Sequence, residues 1–148
     1  MEFYFSHGTI WVYDSGDQNL ASEWTEAHYQ QKVCRRAASA GILTLLDGGR
    51  AEVELVEDAA ALESCELLVE VSVLCVTGRL RIVSVAPKIE LWTGAPGWTR
   101  LGIGQDVSGD ALRIRVVVKE AASEEPTRVR TNGTWAEGPL VETAEAIH

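Results

Sequence analysis

The residues of this chain best placed to do chemistry are carboxylates. Between Ala51 and Glu70 stand seven acids, Glu52, Glu54, Glu57, Asp58, Glu63, Glu66 and Glu70, and no base. Glu52 and Glu54 are two apart, so an extended strand presents them on one face. One reading is an acidic surface that meets a basic partner, such as the substrate groove of a nuclease. The plainer alternative is a solvated face that keeps an acidic protein soluble. Arg113 and Arg115 also share a face, on a different strand, and read as a surface apart from the acids.

Other chemistry assembles less well. His7, His28 and His148 are scattered, with no HExxH and no Cys/His cluster; ordinary surface or half-buried histidines are expected, and no metal or cofactor. Cys34 and His28 are six residues apart, about 240° around a helix, so they do not face each other as nucleophile and base. No GxSxG elbow exists. Gly102-Ile103-Gly104 lacks the third glycine of a dinucleotide fingerprint, since position 107 is Val. Asn132-Gly133-Thr134 has the form of a glycosylation acceptor but reads better as a hairpin turn. Five tryptophans (Trp11, Trp24, Trp92, Trp98 and Trp135) could stack on sugars or bases if exposed, or fill a core if not.

The elements that must position these groups are mostly strands. Apolar residues alternate at Ile10 and Val12; at Val53 and Leu55; at Leu67, Val69, Val71 and Val73; at Leu80 and Ile82; and at Leu112, Ile114, Val116 and Val118. Period two marks strands with one face buried. Thr77-Gly78 separates two such strands as a hairpin would, and Asn132-Gly133 is a type I′ signal. Asp47-Gly48-Gly49 and Gly94-Ala95-Pro96-Gly97 are turn clusters. One helix is predicted near residues 25–36. Thr25 caps it, Trp24 anchors its entry, and Tyr29, Val33 and Ala37 form an apolar stripe. Residues 58–66 form a second short helix or a loop. The expected fold is mainly β: a single-domain β-sandwich-like fold over residues 1–119 with one short helix. Residues 120–148 form a C-terminal extension, a hairpin followed by a partly ordered tail.

Length and charge narrow the function. A chain of 148 residues fits one domain with a proper core. The net charge of −9 repels phosphate and excludes a strongly basic nucleic-acid binder. The N-terminus carries Glu2 where a signal peptide needs a base, and the most apolar run, residues 67–76, is too short to span a membrane. The cytoplasm is the expected compartment. Three cysteines (Cys34, Cys65 and Cys75) make neither a disulfide framework nor a zinc pattern, and free, mostly buried thiols are expected.

Several ordered features resemble the competence protein J family, inhibitors of a DNA-entry nuclease. They are the strand Ile10-Trp11-Val12-Tyr13-Asp14, then Trp24-Thr25-Glu26 opening a helix, then the small-residue run Ala37-Ala38-Ser39-Ala40-Gly41 leading into Ile42. A turn at Gly78 followed by Leu80 and Ile82, and Pro96-Gly97-Trp98 leading to Leu101 and Ile103, complete the series. The resemblance covers roughly residues 5 to 118. It implies a non-catalytic β-sandwich that binds and inhibits a nuclease, and it designates no contact residues. Together with the acidic run it points to a basic partner protein, with Glu52, Glu54, Glu57 and Asp58 as the candidate contact residues. The alternative is a carbohydrate- or other ligand-binding sandwich that uses exposed tryptophans.

Overall fold

The structure is a computed structural model that describes residues 1–17, 24–137 and 140. Among the described residues, twelve strands follow in chain order: β1 (Glu2–Phe5), β2 (Thr9–Asp14), β3 (Val33–Arg36), β4 (Ser39–Leu43), β5 (Gly49–Leu55), β6 (Leu67–Cys75), β7 (Arg79–Val83), β8 (Ile89–Thr93), β9 (Gly97–Ser108), β10 (Ala111–Glu120), β11 (Arg128–Thr131) and β12 (Thr134–Trp135). They build two sheets. The larger runs β1-β5-β10-β9-β6-β11-β12 and the smaller β3-β4-β2-β7-β8. This is the expected mainly β sandwich with one short helix.

The alternation explains the core. On β6, Leu67, Val69, Val71, Val73 and Cys75 are buried, and Glu70 points the other way. Ile103 pairs with Val69 and with Val116, so one apolar row crosses three strands. Ile10, Val12, Ile42, Leu80 and Ile82 answer from the smaller sheet. Burying apolar surface at about 25 cal/mol per Å² holds the two sheets together.

Turn chemistry marks where the chain bends but not which sheet it enters next. Thr77-Gly78 is not a hairpin: β6 lies in the larger sheet and β7 in the smaller. At this crossover sits Asp14, buried at the end of β2. Its Oδ1 accepts from the Thr77 amide at 3.0 Å, the Thr77 hydroxyl at 2.6 Å and the Cys75 thiol at 3.6 Å, and its Oδ2 accepts from the Gly16 amide at 3.3 Å. The crossover is thereby tied to the smaller sheet. Asn132-Gly133 does turn a hairpin, β11–β12, with φ of 49° and 82°. Positive φ at both central residues is the type I′ geometry.

The helix, α1, spans only Glu26–Gln31. Thr25 caps it as expected, accepting from the His28 amide, and His28 Nδ1 accepts the Thr25 amide at 3.0 Å in return. Trp24 stands beside Tyr29 at 5.2 Å between ring centroids and beside Trp11 at 6.3 Å. Lys32 takes a left-handed conformation and ends the helix. The predicted stripe therefore does not form: Tyr29 is 56% exposed, and Val33 begins β3 opposite Ile42. The chain after β5 makes a 3₁₀ helix at Ala59–Leu62, capped by Asp58, whose Oδ1 accepts the Ala60 amide at 2.9 Å. β11 joins the larger sheet beside β6 and puts Val129 into the core. The expected tail, with His148, lies outside the described residues from 141 onward.

Candidate interaction surface

The larger sheet turns its outer face to solvent, and the acids of interest lie there. β5 pairs with β10 in parallel. Glu52 and Glu54 point outward from β5; Glu57 and Asp58 follow it, exposed, on the approach to the 3₁₀ helix. Arg50 bonds Glu2 at 2.7 Å and Glu52 at 3.2 Å. The hydrogen bond to Glu2, then the charge of Glu52, raises the Arg50 pKa above its ordinary value. Among the described residues, Glu54, Glu57 and Asp58 take part in no ion pair.

One placement differs from the sequence reading. Arg113 and Arg115 are not on a separate surface: register sets Arg113 beside Glu52 and Arg115 beside Glu54. Glu70 lies apart from the acids of β5. Two strands, β10 and β9, stand between β5 and β6, roughly 14 Å at the usual strand spacing, and Glu70 pairs with Arg128 at 3.3 Å. The alternation of Arg113 and Arg115 was legible. Their neighbours were not, because parallel pairing of residues 61 positions apart leaves no local mark.

Arginines of this face also hold the acidic segment down. Arg115 donates to the Ala61 carbonyl at 3.2 Å. Arg130 donates to the Leu62 and Glu63 carbonyls, both at 2.9 Å. These are the carbonyls at the end of the 3₁₀ helix, which carry partial negative charge. The helix sits over Gly102 and Gly104, where bare backbone admits the Leu62 and Cys65 side chains. That packing is what the Gly102-Ile103-Gly104 run does here.

The remaining candidates are structural. His28 is not a surface histidine; it is 2% exposed, closed into the helix cap beside Trp24. Cys34, Cys65 and Cys75 are free and buried, and burial raises each thiol pKa to about 11, away from nucleophilic thiolate. All five tryptophans are half-buried, and Trp135 lies under Arg128, whose guanidinium carbon is 3.8 Å from the ring centroid. Among the described residues, no group of three or more His, Cys, Asp or Glu is placed to hold a metal ion. No described helix is long and apolar enough to cross a membrane.

No protein-family model matches the chain, and no curated protein matches it in sequence. Solved structures do match it in fold. ComJ of Bacillus subtilis, an inhibitor of the DNA-degrading activity of NucA, superimposes with a TM-score of 0.62. It is 13% identical, over 80% of this chain and 96% of its own. The product of crocagin biosynthetic gene J superimposes with a TM-score of 0.52 at 15% identity, over 79% of this chain and 94% of its own. The fold is therefore ComJ-like.

Proposed function

We propose that this protein is a non-catalytic inhibitor that binds a basic partner, in the first place a nuclease, in the cytoplasm. Its acidic surface occupies the cleft that would otherwise receive nucleic acid. The observation that carries the reading is that Glu54 on β5, and Glu57 and Asp58 just after it, are exposed and, among the described residues, take part in no ion pair. The ComJ-like fold supports it, because the ComJ structure is that of a nuclease inhibitor. Glu52 contributes less than its neighbours, since it is ion-paired with Arg50. Carboxylates in this position imitate the phosphates of a substrate, and their attraction acts mainly on association rate.

The test begins with capture of partners from the source cell on the immobilised protein. A basic protein should bind at low salt, and its DNA cleavage should stop when it is bound. The variant Glu54→Lys/Glu57→Lys/Asp58→Lys changes the net charge from −9 to −9 + 6 = −3. It should bind at least about tenfold more slowly at low salt, and the difference should shrink as salt screens the charges. Glu90→Lys on β8 of the other sheet is the control. A captured nuclease that stays active, or a triple variant that binds as fast as the parent, refutes the proposal.

A further inference from the structure

A cavity of about 420 Å³ opens on the outer face of the larger sheet, over β9, β10 and β6. Its floor is apolar: Gly102 and Val117 are register partners, and Leu62 closes one side. A Cβ at Gly102 would come within 2.8 Å of Leu62 Cδ1, so the bare backbone is what lets the wall stand here.

Both walls are tied in place. On one side, the 3₁₀ helix is held by Arg115 and Arg130 through its terminal carbonyls. On the other, residues 125–126 are held by Ser72 and Arg100. Arg100 donates to the Glu125 carbonyl at 3.1 Å and the Pro126 carbonyl at 2.6 Å, while the Ser72 hydroxyl donates to the Glu125 carbonyl and accepts its amide. A groove held this way is formed before any ligand arrives, which removes much of the ordering cost of binding.

The rim is cationic in an otherwise acidic chain. Arg100, Lys119 and Arg128 face Glu70 and Glu125, a local balance of 3 − 2 = +1. Arg128 pairs with Glu70 at 3.3 Å and Arg100 with Glu125 at 3.5 Å. Lys119 is exposed and, among the described residues, has no ion-pair partner. The volume lies in the range of small-molecule sites, roughly 300–1,000 Å³.

We propose that this groove binds a small organic anion, its carboxylate held at Lys119 and its apolar body laid over Val117, Gly102 and Leu62. The site is distinct from the acidic surface at Glu54, Glu57 and Asp58 and does not rest on that reading.

The test uses N-acetyl-leucine and N-acetylphenylalanine, each beside its uncharged amide, titrated into the full chain and followed by NMR. At least one carboxylate should shift the Val117 methyls and the Gly102 amide saturably. The matching amide, and the Lys119→Met variant, should bind about 1.5- to fivefold more weakly, the range an exposed ion pair allows. Lys119→Met keeps the apolar stem and leaves the buried sheet untouched. The absence of any saturable shift at Val117 overturns the proposal. So does an amide that binds as tightly as its acid, or a Lys119→Met variant that binds as tightly as the parent.

Discussion

Removing the Asp14 carboxylate should destabilise the protein more than any exposed substitution can. In Asp14→Ala the Thr77 amide, the Thr77 hydroxyl and the Gly16 amide lose their acceptor at once, and the site is only 3% exposed. Hydrogen bonds to a charged group contribute about 1.5–3 kcal/mol net, and an orphaned buried donor costs about 1–3 kcal/mol. Water can reach Thr77, which is exposed, so the bonds do not add in full. The expected loss is roughly 3–4 kcal/mol, out of a total stability of about 5–15 kcal/mol. At this chain length that lowers Tm by roughly 6–16 °C. Asp14→Asn keeps an acceptor toward Thr77 and Cys75 but turns an NH2 toward the Gly16 amide, and should cost about 1–2 kcal/mol. Urea unfolding followed by tryptophan fluorescence gives both values, with an unchanged m. A double-mutant cycle with Thr77→Val should show at least about 1 kcal/mol of coupling. If Asp14→Ala unfolds within about 1 kcal/mol of the parent, the carboxylate does not hold the crossover between the sheets.

Two further outcomes follow from the same structure. Gly104→Ala places a Cβ 2.5 Å from Cys65 Sγ and 3.1 Å from its Cβ, and should cost about 1–3 kcal/mol by overpacking; urea midpoints should show a smaller loss in a Cys65→Ala background. The three thiols, each with a folded pKa of about 11 against about 8.5 in an unfolded chain, should set a pH dependence. Below about pH 8.5 both states carry neutral thiols and the contribution is complete. Between about pH 8.5 and 11 only the unfolded chain releases protons, so stability falls as pH rises. Urea midpoints across that range check this, a Cys34→Ala variant should flatten the slope, and denatured protein should titrate three thiols.

Period two was enough to read the sandwich, because burial of one face is a local property of each strand. Leu67, Val69, Val71 and Val73 are buried as their spacing requires. The helix is shorter than its pattern predicts, although Val33 and Ala37 continue a 3.6-residue stripe. Tertiary pairing of Val33 with Ile42 overrode it. At Thr77-Gly78 the residues announce a turn, but the hydrogen bonds that tie the crossover to the smaller sheet come from Asp14, more than 60 positions earlier. The acidic residues were legible as a group, and Glu52 and Glu54 do share a face. Their electrostatic setting was hidden: Arg113 arrives through a long-range parallel register, and Arg130 reaches carbonyls on a segment 67 positions away. The groove beside Lys119 had no sequence signal, since its lining comes from five separate stretches of chain.

Among the described strands, the β5–β10 ladder is the one parallel pairing, and it bears on how the chain survives its own synthesis. A ribosome delivers β5 long before residues 111–120, so for that interval β5 has β1 on one side and an open backbone edge on the other. An open edge invites pairing with another copy of the same strand. Glu52 and Glu54 would then face their own counterparts, and like charges directly opposite each other are destabilising. The two glutamates thus discourage self-association until Arg113 and Arg115 arrive, carrying the opposite charge in the matching register.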